Sequence, residues 1–183
     1  MSVISFFFTT LILSIQGEHL DALDAVRERK SVRRFRSDPL SKETIETLID
    51  AARLAPSAMN LQPLEFVAVT DQEMRGRIAD ATDYDKFIAE APLCIAVFCK
   101  DAKYYLEDES AAVENILIAA TALGLGSCWV AGDKKSYANT IRELLSVPTG
   151  YKLIALIPVG YTDERGRSRK KRELKEVLHY EKF

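Results

Sequence analysis

Three short apolar runs constrain this chain most: LEFVAVT at 64–70, PLCIAVFC at 92–99 and KLIALIPVG at 152–160. Each is rich in β-branched or aromatic residues, is bounded by turn signals and is shorter than an ordinary helix. Each therefore reads as a buried central strand. Helical stretches at 72–81, 108–123 and 135–145 lie between and around them. Strands and helices interspersed in this way form an α/β or α+β sandwich of layers. A chain of 183 residues fills one hydrophobic core and is too short for two ordinary domains, so residues 19–183 are expected to form a single domain.

Two further helices precede the first strand. Leu20, Leu23 and Val26 fall three apart, as on one face of a short helix that ends in a basic cluster. Leu40 and Ile45 flank Ser41 as a hydrophobic staple around an N-cap, and Ile45, Leu48, Ile49 and Ala52 then repeat at helical spacing until Pro56. The stretch SAAVENILIAATALG at 110–124 is different, because it has almost no polar face. A helix that is apolar all round is expected to be buried on all sides. Its alanines would admit a symmetry-related helix, although the central core helix of a monomer would read the same way.

Composition narrows the classes. With 25 basic and 27 acidic residues, a net charge of -2 and 48% hydrophobic residues, the balance is that of a globular protein, and nucleic acid is not the expected partner. Cys94, Cys99 and Cys128 are odd in number and lack C-x-x-C spacing, which implies neither a disulfide framework nor a zinc site and fits a reducing, cytoplasmic compartment. The apolar segment VISFFFTTLILSI at 3–15 falls short of the ~20 residues of a membrane span, with no preceding Lys or Arg and no small-residue cleavage site after it. We read residues 1–18 as an arm that packs on the body or on a partner chain, or as the product of a mis-assigned start, and expect no membrane association.

Three clusters carry candidate chemistry. Arg29-Lys30-Ser31-Val32-Arg33-Arg34-Phe35 gathers four cations around a hydroxyl. Guanidinium groups bind phosphate oxygens bidentately, so this is a candidate anion site, to be weighed against a solvated basic helix end. Ala55-Pro56-Ser57-Ala58-Met59-Asn60-Leu61-Gln62-Pro63 is a connection stiffened by prolines. Its Ser57, Asn60 and Gln62 present neutral donors and acceptors suited to the edge of a heteroaromatic ring, unless it is an ordinary polar turn. Leu123-Gly124-Leu125-Gly126-Ser127-Cys128-Trp129-Val130-Ala131-Gly132 holds the only tryptophan. Its G-x-G follows a helix rather than a strand and has no third glycine, so it is no dinucleotide fingerprint.

In this order the clusters resemble the nitroreductase family, with its basic R-[RKH]-S-x-[RK], its P-S-[SA]-x-N-x-Q-P after the second helix and its L-G-L-G-[ST]-x-W. The tail, IPVGY followed by a basic run and LKEVLHYEKF, is similar to the family's ending, so the resemblance runs from Leu20 to Phe183. It implies an α+β fold with a central, mostly antiparallel sheet flanked by helices, in an intertwined homodimer with the site between protomers. It implies FMN as cofactor and NADH or NADPH as electron donor. Arg29, Ser31 and Arg33 would hold the FMN phosphate, with Lys30 contributing and Lys171 closing the site. Pro56, Ser57, Ala58, Asn60 and Gln62 would line the flavin ring and ribityl chain. Trp129, Val130, Ala131 and Gly132 would form a strand facing the ring, with the Ala131 and Gly132 amides near its reactive nitrogen. Two positions depart from the family pattern: Leu64 stands where Trp is common, and 81–87 lacks the expected Gln or Asn.

The implied reaction passes hydride from NAD(P)H through flavin to a small electron-poor acceptor, a nitroaromatic or quinone, in ping-pong fashion. Such chemistry belongs to the cofactor, so no protein nucleophile and no obligatory acid or base is expected. His19 and His179 lack metal-ligand spacing. The competing readings are a family member with another reaction, dehalogenation or flavin and oxygen chemistry, and an anion- or nucleic-acid-binding domain built on Arg33, Arg34 and the run 165–172.

Overall fold

The computed structural model describes residues 20–164 and 170–183. The arm at 1–18, His19 and positions 165–169 of the basic run lie outside the described residues.

The three apolar runs are strands β1 (Leu64–Val69), β2 (Leu93–Lys100) and, once two short strands are counted, β5 (Tyr151–Gly160). The short ones, β3 (Gly126–Ser127) and β4 (Val130–Ala131), both pair with β5, giving the order β1-β2-β5-β3 with β4 beside β5. All of these strand pairings are antiparallel.

Both faces of the sheet are covered, which explains why the strands read as unbroken apolar runs. Leu93, Ile95 and Val97 of β2 join Ala155, Ile157 and Val159 of β5 in one buried cluster. Cys94, Ala96 and Phe98 join Leu153 and Leu156 in the other, as alternation along a strand requires. A register shift between Val97 and Phe98 explains how Leu153 and Leu156 share that face.

Five helices complete the described layers: α1 (Ala22–Glu28), α2 (Lys42–Arg53), α3 (Gln72–Ala81), α4 (Tyr105–Ala122) and α5 (Ala138–Leu144). Ser41 caps α2 as expected, accepting a hydrogen bond from the Thr44 N–H. Asp21 and Asp71 do the same for α1 and α3. Helix α4 starts three residues before the expected boundary. Helix α5 starts three later, because Lys134 is left-handed (φ 59°) and the Lys135 N–H closes a turn onto the Gly132 carbonyl.

Two amphipathic expectations change. Helix α1 buries only Ala25, whereas Leu20, Leu23 and Val26 are 41%, 65% and 52% exposed. Helix α4 is not buried on all sides within one chain. Ala112, Val113, Ile116, Leu117 and Ala120 face the core, while Ala111, Ile118, Ala119 and Ala122 are only half-buried. Among the described residues no helix is long and apolar enough to cross a membrane.

Candidate functional site

The first cluster leaves α1 as extended chain, and extension sorts its side chains by parity. Ser31 bridges Ser127, the neighbour of Cys128, and the charges of Arg33 and Arg29 both act on the Cys128 thiol. Lys30 and Val32 project to the other side, where with Glu28, Thr121 and Glu164 they line a cleft of about 370 Å³. Lys30 Nζ lies 4.0 Å from Glu28 Oε2.

Ser31 and Ser127 form a parallel bridge, with the Val32 N–H donating to the Ser127 carbonyl at 2.9 Å, which joins the first cluster to the third. Both glycines of the L-G-L-G run serve that junction. Gly124 ends α4 at φ 72°, a left-handed position that favours glycine. A Cβ on Gly126 would lie 2.8 Å from both Val32 Cγ1 and Thr162 Cγ2, so only glycine lets the 31–33 segment pass.

The Arg33 and Arg34 N–H groups both donate to Glu164 Oε2 at 3.1 Å, fixing the backbone. The Arg33 guanidinium lies 5.7 Å from the Phe87 ring centroid, and no ion pair among the described residues neutralises it. Arg29 Nε is 3.4 Å from Glu114 of α4. Burial pushes the Cys128 thiol up, opposed by Arg33, a hydrogen bond with Ser31 and Arg29.

The second cluster is a strained loop. Pro56 leads into Ser57, whose Oγ accepts from the Gln62 N–H at 2.9 Å, and Gln62 Nε2 donates to Asn60 Oδ1 at 3.0 Å. Met59, Asn60 and Gln62 all have φ between 48° and 56°. Each left-handed residue without glycine costs roughly 1 kcal/mol or more, so the loop needs external fixation. Asp108 of α4 supplies it, accepting from the Ala58 N–H at 2.9 Å while only 6% exposed.

In the third cluster Trp129 is 37% exposed, Val130 is buried and Ala131 is exposed. Only Val130–Ala131 pairs as strand, because the chain turns at Gly132. The Gly132 and Asp133 N–H groups share the Ile154 carbonyl at 2.7 and 3.2 Å, so the Gly132 amide is already committed. The Ala131 carbonyl accepts from the Tyr137 hydroxyl, and Asp133 Oδ1 accepts from the Tyr105 hydroxyl at 3.3 Å.

Within one chain the Ser31–Ser127 bridge joins the first cluster to the third, whereas no hydrogen bond among the described residues joins the second cluster to the first. Asp108, which anchors the loop, and Glu114, which meets Arg29, are six residues apart on α4. That spacing puts them about 120° apart around the helix and about 9 Å apart along it. Lys171 lies in an exposed tail, and no hydrogen bond or ion pair among the described residues links it to Arg29, Ser31 or Arg33.

Sequence reasoning missed the residues that hold these segments: Tyr105, Asp108, Tyr137 and Glu164. The visible signal was Glu107-Asp108-Glu109, three acids heading a largely apolar helix. Glu109 is fully buried with both carboxyl oxygens unpartnered, and burial, with Asp133 adding to it, pushes its pKa up to about 9. Among the described residues no group of His, Cys, Asp or Glu could hold a metal ion.

A profile of the Nitroreductase family matches residues 26–92 and 82–161. A protein of Methanothermobacter thermautotrophicus named "Putative NADH dehydrogenase/NAD(P)H nitroreductase" is 33% identical over 156 residues, covering 82% of each chain. A solved structure of the same name, from Bacteroides thetaiotaomicron, has a TM-score of 0.84 at 32% identity, covering 90% of this chain and 99% of the other. The FMN-dependent nitroreductase of Clostridium difficile has a TM-score of 0.79 at 29% identity, covering 88% and 99%.

Proposed function

The chain belongs to the nitroreductase family, and from that premise we propose that it is an FMN-dependent NAD(P)H oxidoreductase acting on a small electron-poor acceptor. The observation that carries this is the parallel bridge between Ser31 and Ser127, which sets the Arg29-Ser31-Arg33 segment beside the Trp129 strand. Two guanidiniums and a hydroxyl are a donor set for a phosphate dianion. The neutral amides of Asn60 and Gln62, both exposed, suit the polar edge of a flavin ring. The residues present therefore fit FMN.

The chemistry that FMN supplies when bound is hydride transfer between a nicotinamide and an acceptor such as a nitroaromatic or quinone. Arg29 and Arg33 would bind the phosphate, with the Ser31 hydroxyl donating to it. Pro56, Ser57, Ala58, Asn60 and Gln62 would orient the ring, and the exposed Trp129 and Ala131, on the strand that the buried Val130 anchors, would shield it from water. Purified protein is expected to be yellow, to release FMN on denaturation, and to give parallel double-reciprocal lines with NADH or NADPH against a quinone. A colourless protein that takes up no FMN would sink the proposal, and intersecting lines would sink the ping-pong mechanism.

We further propose that the working unit is a homodimer in which the partner supplies the second cluster. The separation of that loop from Arg29 around α4 supports this. So do the uncovered Leu23 and Val26 of α1 and the half-buried Ile118 and Ala122, which belong to neither core cluster. Ile118→Glu is expected to convert the dimer to a monomer that has lost FMN, because an interface would bury an unpaired charge. Sedimentation with absorbance at flavin wavelengths reads both, and a wild-type monomer that keeps FMN at high dilution would overturn the assembly.

A further inference from the structure

Resting on that reading, we propose that the first turn of α4 is a clamp for the two cofactor-facing segments: Asp108 fixes the 57–62 loop through Ala58, and Tyr105 fixes the 131–133 turn through Asp133. The two residues sit three apart on one helix and reach segments about seventy positions apart in sequence. Both act as positioning residues, since neither belongs to the loop or the turn itself.

Each segment needs such a pin for its own reason. The loop carries Met59, Asn60 and Gln62 in left-handed conformations, which persist only where the surroundings over-determine the backbone. Its internal bonds, Gln62 to Ser57 and Gln62 to Asn60, hold it to itself and not to the rest of the chain. The Asp108 carboxylate is the bond that ties it to α4, and at 6% exposure little water competes for that carboxylate. The turn is held by the Ile154 carbonyl on one side and by the Tyr137 hydroxyl on another. Tyr105 adds the link from Asp133 to the same helix, so the loop and the turn share one rigid reference.

A clamp acting on ring-facing segments makes a distinct prediction from the phosphate cluster. Asp108→Asn exchanges an acceptor-only carboxylate for an amide and is expected to weaken FMN and riboflavin alike, by about tenfold. Tyr105→Phe removes one hydroxyl and is expected to weaken both by about threefold. In each variant the absorption maxima of bound FMN should move, because the polar surroundings of the ring change. Asn115→Ala is the control: it removes the bond from Asn115 Nδ2 to the Ala51 carbonyl, which anchors the last turn of α2 to α4 without touching the 57–62 or 131–133 segments. It should lower Tm yet leave flavin affinity and spectrum unchanged.

The experiment titrates the full-length apoprotein with FMN and with riboflavin, for wild type and the three variants, with Tm measured in parallel. Equal losses for the two flavins with a shifted spectrum, absent from Asn115→Ala, support the clamp. Wild-type affinity and spectrum in Asp108→Asn or in Tyr105→Phe overturn it. So does a loss in Asn115→Ala that matches theirs at equal Tm. Should Asp108→Asn not fold, Tyr105→Phe carries the same test. Wild-type protein that binds neither flavin overturns the functional reading together with the clamp.

Discussion

Glu109→Gln is expected to abolish a steep loss of stability with rising pH. The carboxyl is fully buried, both oxygens are unpartnered, and its pKa is pushed from 4.5 up to about 9, first by burial and then by the Asp133 carboxylate. Because the folded value lies above the unfolded one, the folded chain keeps a proton that the unfolded chain has released. Stability is therefore fully present below about pH 4.5 and drains away as pH climbs toward 9. The slope is about 1.4 kcal/mol per pH unit, or roughly 3 kcal/mol by pH 7. Gln cannot ionise, so the difference between variant and wild type should grow with pH. Near pH 5 the variant should gain nothing, since its amide is as unpartnered as the acid it replaces. By pH 8 it should be the more stable protein. Urea unfolding at half-unit steps from pH 5 to 8.5 measures this, and parallel curves for the two proteins would show that Glu109 does not hold its proton on folding.

Arg29→Ala and Arg33→Ala are expected to weaken FMN binding by one to two decades each while barely changing riboflavin. A charged hydrogen bond to phosphate is worth about 1.5 to 3 kcal/mol, and riboflavin has the same ring and ribityl chain but no phosphate. Arg33 should show the larger loss. Its guanidinium rests on Phe87 with no ion pair among the described residues, whereas Arg29 already faces Glu114 at 3.4 Å. Added salt should weaken FMN more than riboflavin. Equal losses for both flavins would mean general destabilisation, and no loss for either would make the cluster an ordinary solvated helix end. With the clamp variants, which should affect both flavins equally, these substitutions divide the site into a phosphate half and a ring half.

Much of the scaffold was legible because its signals are local. The strands at 64–69, 93–100 and 151–160 showed as short β-branched runs, and Ser41 showed as an N-cap because capping involves only the next few residues. The order of the three motifs sufficed for the family. The helix boundaries near Tyr105 and Ala138 were less legible, since a left-handed Lys134 and an uncapped α4 start have no strong residue signature. Tyr105 and Tyr137 carried no sequence signal, and Asp108 showed only as one of the acids heading α4, because Tyr105 and Asp108 act on groups distant in sequence and Tyr137 on a carbonyl across a turn.

What the sequence determined by itself, then, is the set of elements and the chemistry available to them: three strands, an apolar helix, a basic cluster, a polar loop and a glycine-bearing turn. Only the tertiary structure decided the strand order β1-β2-β5-β3 and its register, because an unbroken apolar run says that a strand is buried on two sides and nothing about which strand lies beside it. Only the tertiary structure set Lys30 in the cleft lined by Glu28 and Glu164, since those carboxylates come from different parts of the chain. It also set the 57–62 loop about a third of a turn around α4 from Arg29, because that angle depends on which helix faces pack together, and packing is a property of the whole core.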